Sequence, residues 1–150
     1  MDEILVRIRK EPEFSDLPLP EYCSKGASGM DLYAAIHEPM VLQPGEWKLI
    51  STGIRISLPL GYEAQVRPRS GLAFRYGIGV LNAPGTIDSD YRGVISVILM
   101  NFGNDPFPIH RGDRIAQLVI TRVTRAKWIE SPELDETERN AGGFGSTGPR

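Results

Sequence analysis

Glycine and proline divide this chain so often that only short elements fit between them. Sixteen glycines and twelve prolines fall among its 150 residues. Glycine supplies turn geometries closed to other residues, and proline interrupts helices and ladders. Pro44-Gly45, Pro59 to Gly61, Pro84-Gly85 and Arg111 to Asp113 read as turns. The runs between them have strand character. Ile4, Val6 and Ile8 alternate with Leu5, Arg7 and Arg9, and Tyr62, Ala64 and Val66 with Glu63, Gln65 and Arg67. Val94 to Met100 is apolar apart from Ser96, the pattern of a strand buried on both faces. Ile115 to Val123 reads as another strand, and Lys48 to Leu58 as one or two more. One short helix is predicted, with Ser70 as N-cap, Gly71 to Tyr76 as its body and Gly77 closing it. Glu133 to Glu138 is acidic enough to read as a solvated connector. Many short strands with one short helix predict an all-β barrel or jelly roll, and the length fits a single domain.

A formal charge of −2 gives no general attraction to nucleic acid, so an anionic ligand must be gripped by locally placed arginines. Cys23 is the only cysteine, which excludes an internal disulfide and suits a reducing compartment. His37 and His110 are isolated and lack metal-ligand spacing, so both read as structural or solvated. No signal peptide, membrane span or lipidation motif stands out, and the expectation is a cytoplasmic protein without a membrane partner.

Five segments carry candidate chemistry. Residues 139–148 (RNAGGFGSTG) combine one cation, one aromatic ring and two adjacent hydroxyls in a glycine-rich tail. Such a tail is either disordered or able to wrap a phosphate while its ring covers a flat base. Arg69 and Ser70 at the start of the short helix suit an anion, although Ser70 also makes an ordinary cap. Gly79 to Gly93 reads as a hairpin or tight bend. There Asn82 and its backbone edge could pair with a base, Asp88 could orient and deprotonate water, and Tyr91 could press on a sugar; Asp88 and Asp90 are equally ordinary turn formers. Gln117 is a polar residue between Ala116 and Leu118 that needs a partner. Arg111-Gly112-Asp113-Arg114, just before it, has the look of a surface turn. Asp31 lies in a small, apolar stretch, as a turn aspartate or as an acid acting near phosphate through a metal-bound water.

Taken in order, Ser-Gly-Met-Asp-Leu-Tyr-Ala-Ala, Pro-Arg-Ser-Gly-Leu-Ala, Gly-Thr-Ile-Asp-Ser-Asp-Tyr-Arg-Gly, Arg-Gly-Asp-Arg-Ile-Ala-Gln-Leu and Gly-Gly-Phe-Gly-Ser-Thr-Gly resemble the five motifs of the trimeric dUTP diphosphatases. The resemblance implies a jelly-roll-like β-barrel in residues 1–150, assembled as a homotrimer with shared active sites. It also implies a flexible tail, from about residue 135 to 150, that closes the site. The implied reaction is dUTP plus water giving dUMP and diphosphate, which limits uracil incorporation into DNA and supplies the thymidylate precursor.

By similarity, Asp88 is the general base. Arg69, Ser70, Gly71 and Gln117 meet the substrate along its phosphate chain, Asn82 reads uracil, and Tyr91 packs under the deoxyribose. In the tail, Phe144 with Gly145 covers the base, and Arg139, Ser146 and Thr147 hold the terminal phosphate. Mg2+ is the implied cofactor, carried by the substrate phosphates with no direct protein ligand, Asp31 acting through water. Asn140 stands where the family often has glycine, an exchange that asparagine's tolerance of left-handed backbone makes mild. Two other readings stay open: a dCTP deaminase of the same fold, and a non-enzymatic β-barrel that binds partners, for example through Arg111-Gly112-Asp113.

Overall fold

The structure of the chain, a computed structural model, describes residues 1–149. Among them run eleven strands: β1 (Arg7–Lys10), β2 (Met30–Tyr33), β3 (Met40–Leu42), β4 (Trp47–Ser51), β5 (Ile54–Ser57), β6 (Tyr62–Arg67), β7 (Ile78–Val80), β8 (Gly85–Ile87), β9 (Ser96–Asn101), β10 (Phe107–Ile109) and β11 (Arg114–Arg122). A 3-10 turn covers Pro12–Phe14, and α1 (Ser70–Tyr76) follows β6. Every strand pairing is antiparallel. The sheets are ordered β1-β5, β10-β3, β2-β11-β6-β8 and β4-β9-β7.

All four sheets send apolar side chains into one core, which makes the fold a jelly-roll-like β-barrel. Leu32, Leu42, Ile50, Ile56, Val66, Ile78, Leu99, Ile109 and Leu118 meet there from nine strands. Burying each such leucine or isoleucine stabilises the fold by about 1.5–3 kcal/mol. The one fully buried amide in that interior, Asn101, donates through Nδ2 to Leu42 O (2.9 Å) and Asp105 O (2.8 Å) and accepts from Gly103 N (2.8 Å). It ties the end of β3 to the turn between β9 and β10, and its hydrogen-bonding groups are matched, as burial requires.

Sequence pattern and structure differ at four places. The first strand covers Arg7–Lys10 and leaves Ile4 outside it, because the ladder with β5 runs only from Arg7 opposite Ser57 to Lys10 opposite Ile54. The N-cap of α1 is Arg69, with extended backbone, and Ser70 is the first helical residue; Gly77 closes the helix at φ 68°, as expected. A Cβ on Gly77 would also stand 2.7 Å from Gly103 N, so glycine is needed there twice over. Val94 to Met100 is not buried on both faces: β9 begins at Ser96 and alternates, with Val97, Leu99 and Asn101 inside and Ser96, Ile98 and Met100 half-buried. The sheet β4-β9-β7 has only one face on the core, and its outer face carries exposed Trp47 and Leu49. Finally, of the two readings of Gly79 to Gly93 the tight bend holds, between β7 and β8, and the hairpin does not, since β7 pairs with β9 while β8 pairs with β6.

Beyond β11 the chain has no further strand or helix among the described residues. Val123 N still donates to Gly61 O (2.9 Å), but from residue 124 to 149 every hydrogen bond is local. Asn140 adopts φ 43°, the left-handed backbone its side chain tolerates, and Phe144 φ 50°. Arg150, the last residue of the expected tail, lies outside the described residues.

Candidate active site

β11 lies between β2 and β6, and its Gln117 stands opposite Asp31 on one side and Arg67 on the other. Directly opposed residues share a sheet face, so this row gathers polar groups at one place. The partner that Gln117 requires is Pro68 O, which accepts from Nε2 at 3.0 Å. Where the chain turns from β6 into α1, Arg69 Nε stands 3.1 Å from Asp31 Oδ1 and Nη1 donates to Arg114 O (3.1 Å). Arg114 Nη1 faces the other carboxylate oxygen, Oδ2, at 3.4 Å. Asp31 is therefore a strand residue clamped between two guanidiniums, not a turn aspartate. Two cations on one anion leave a net positive charge beside exposed Ser70 and Gly71, a combination suited to phosphate oxygens. The sequence does not single out Arg114; the available signal is the second arginine of Arg-Gly-Asp-Arg, which becomes the first residue of β11, the antiparallel neighbour of Asp31's strand.

A second group lines a cleft of about 290 Å³ that includes Leu49, Val66, Asn82, Asp88, Tyr91 and Ile98. Its walls are mostly apolar, with an amide, a carboxylate and a phenol converging on it, as small-molecule clefts require. The exposed Asp88 carboxylate has no ion-pair or hydrogen-bond partner among the described residues, while Asp88 O accepts from Tyr91 N (3.1 Å). The loop from Asp88 to Gly93 is held in shape by arginines. Arg92 Nη1 donates to Ser89 O (2.6 Å) and Tyr91 O (3.1 Å), and Arg55 Nη1, from β5, donates to Arg92 O (3.0 Å).

One chain does not bring these groups together. β8 sets Gly85 opposite Val66 and Ile87 opposite Ala64, so Asp88 lies about four residues back along β6 from the Arg67 row. At a strand's rise per residue that is roughly 13 Å. Arg69, Ser70 and Gln117 do not line the Asp88 cleft. The tail is a third, separate group: Phe144 is fully exposed, and Arg139 Nε donates only to Gly142 O (2.7 Å). Ser146 N donates to Gly143 O (3.0 Å) and Gly145 O accepts from Gly148 N (2.9 Å), both within the tail.

The remaining candidates are structural. Arg111 is no free recognition group: its guanidinium lies 4.8 Å from the Phe14 ring centre and donates to Glu13 O, Ile36 O and the Asp16 carboxylate. His37 faces Glu13 (3.2 Å) and Phe14, and His110 faces Asp113 (3.6 Å). Cys23 is exposed. Among the described residues no three His, Cys, Asp or Glu side chains converge as a metal site, and no helix is long and apolar enough to cross a membrane.

A sequence model of the dUTPase family matches residues 15–148. The chain is 57% identical over 145 residues to the deoxyuridine 5'-triphosphate nucleotidohydrolase of Thermoanaerobacter sp. (strain X514), covering 97% of this chain and 98% of that protein. It is 54% identical over 149 residues to the enzyme of the same name from Methylocella silvestris, covering 98% and 93%. Among solved structures, the dUTPase of Staphylococcus bacteriophage 80alpha with dUPNHPP superposes with a TM-score of 0.85 at 25% identity, over 96% of this chain and 98% of that one. A mutant dUTPase from phage phi11 of S. aureus, described for the coordination of a structural Mg(II) ion, gives a TM-score of 0.77 at 23% identity, over 87% and 98%. With its five motifs placed on this barrel, the chain belongs to the dUTPase family.

Proposed function

We infer that this protein hydrolyses dUTP to dUMP and diphosphate at a composite site that no single chain completes. The observation that carries this reading is the separation within one chain of the Asp88 cleft, the Asp31–Arg69–Arg114 cluster and the tail. A closed ring of three copies could bring the cleft of one, the cluster of another and the tail of a third into register. An arm with no bond to its own barrel is free to reach a neighbour.

In that arrangement the Asn82 amide and adjoining backbone pair with the polar edge of uracil, and the narrow slot excludes a 5-methyl group. Tyr91 forms the floor under deoxyribose and leaves no room for a 2′-hydroxyl. Arg69, Ser70, Gly71 and Gln117 hold the phosphate chain, joined by Arg114. Asp88 orients a water and takes its proton as the water oxygen bonds to the α-phosphorus. The bond from that phosphorus to the bridging oxygen breaks, and diphosphate leaves. A carboxylate is a weak base at neutral pH, so positioning supplies much of the rate. The tail then orders over the complex, with Phe144 and Gly145 on the base and Arg139, Ser146 and Thr147 on the terminal phosphate, and excludes water from the site.

The residues present fit magnesium carried on the substrate. Both Asp31 oxygens already face arginines, which leaves this carboxylate suited to a water-mediated contact and not to direct ligation. When bound, the ion neutralises charge on the triphosphate and on the departing diphosphate. The setting is the cytoplasm, where the reaction limits dUTP and feeds thymidylate synthesis.

A pyrophosphatase-coupled assay with purified protein and Mg2+ tests the reading. Phosphate release from dUTP supports it. Ammonia release from dCTP would identify a deaminase, and neither product would leave a non-catalytic binding barrel.

A further inference from the structure

The loop carrying Tyr91 contains a glycine that its own backbone does not require. Gly93 lies outside the left-handed region, so its φ is open to residues with a side chain. Its neighbour excludes one. A Cβ at Gly93 would stand 2.3 Å from Tyr91 Oη, 2.4 Å from Cζ and 2.8 Å from Cε2, far inside van der Waals contact. The phenol occupies the space a side chain at 93 would take, and its Oη donates to Val94 O at 3.0 Å. Arg92 and Arg55 hold the path of the loop independently of the ring. Because Tyr91 is 44% exposed, the ring can swing away from a collision at little cost to the fold.

We propose that Gly93 is a positioning residue for sugar discrimination: its missing side chain is the seat that sets the height of the Tyr91 ring. The proposal rests on the reading of Tyr91 as the floor under the sugar. With a methyl group at position 93, the ring leaves its seat and loses the bond to Val94 O. The surface that excludes a 2′-hydroxyl goes with it. The effect on discrimination passes entirely through Tyr91.

The test is a double-mutant cycle on the ratio of kcat/KM for dUTP to that for UTP, with thermal midpoints measured alongside. Gly93→Ala is expected to lower the ratio roughly tenfold or more with its midpoint close to the parent's. In a Tyr91→Ala background the same substitution is expected to change nothing further, since the collision partner is gone. A parent-like ratio in Gly93→Ala, beside a reduced one in Tyr91→Ala, overturns the seat and leaves the sugar floor standing. An equal drop from Gly93→Ala in both backgrounds also overturns it, because the effect would not pass through the ring. If Tyr91→Ala itself keeps the parent ratio, the sugar reading fails, and the seat is then judged by the ring alone. Nuclear Overhauser contacts between the Tyr91 ring and the α-protons of residue 93 are lost in Gly93→Ala if the seat is right and kept if it is wrong.

Discussion

Asp31 lies on β2 and Arg69 just past the end of β6, strands that are not neighbours, yet Oδ1 of the first stands 3.1 Å from Nε of the second across intervening β11. Arg114, from β11 itself, closes on the second oxygen. The carboxylate thus sets the spacing of two cations proposed to hold phosphate. Asp31→Asn removes the charge that holds both, and each partly exposed ion pair it weakens is worth up to about 1 kcal/mol. KM for dUTP is expected to rise roughly tenfold with a smaller change in kcat. Steady-state kinetics at saturating Mg2+ check this, and a KM equal to the parent's would show that the arginines hold their places unaided.

Asp88→Asn keeps the shape of the cleft and removes the proposed base. Turnover is expected to fall by roughly 10²-fold or more, with folding and substrate binding nearly unchanged. Single-turnover rates and titration with a non-hydrolysable dUTP analogue separate the two effects. Near-parent turnover would remove Asp88 from the role of base.

Mixing an Asp88→Asn chain with a chain truncated before Arg139 is expected to restore activity that neither parent has. A site takes its base from the truncated chain half the time and its tail from the other half the time, so roughly a quarter of sites are complete if both contributions come from different subunits of a closed ring. Differently tagged chains, purified as mixed assemblies, give the measurement; with the all-parent rings removed, the complete fraction there is roughly a third. Mixed assemblies as inactive as their parents would put tail and base on the same chain.

Arg111→Ala is expected to destabilise the fold by about 1–3 kcal/mol, because it strips hydrogen bonds from Glu13 O and Ile36 O and a cation from the face of Phe14. The same guanidinium, by hydrogen bonding, holds the Asp16 carboxyl below the ordinary aspartate value. A depressed folded-state value means a stabilising contribution present above the ordinary aspartate range and lost as pH falls through it. Chemical denaturation at neutral pH reads the first effect. An NMR titration of Asp16 reads the second, its midpoint moving up in Arg111→Ala; an unmoved midpoint would show that Arg111 is not its cause.

Local signals carried much of the fold. The glycine at 77 ended the helix where expected, and Arg114–Arg122 matches the run read from Ile115 to Val123 within one residue. The misread segments all depended on partners distant in sequence. Nothing between Gly79 and Gly93 says that β7 will pair with β9 and β8 with β6, and the apolar run at 94–100 does not say which of its faces meets the core. The site followed the same division. Motif order named Asp88, Asn82, Tyr91, Arg69 and Gln117, but Arg114's contact with Asp31 exists only through the β11–β2 register. The turn at Arg111 lies at the surface as read, but nothing local says that its guanidinium is held by Phe14, Asp16 and Ile36, far away in sequence.

The position of β11 has a consequence for how the protein is made. It is the last strand among the described residues and sits between β2 and β6 in the middle of its sheet. While the chain is being synthesised, both of those strands wait with open edges, which are templates for wrong partners. The barrel therefore cannot close until residue 122 is free of the ribosome.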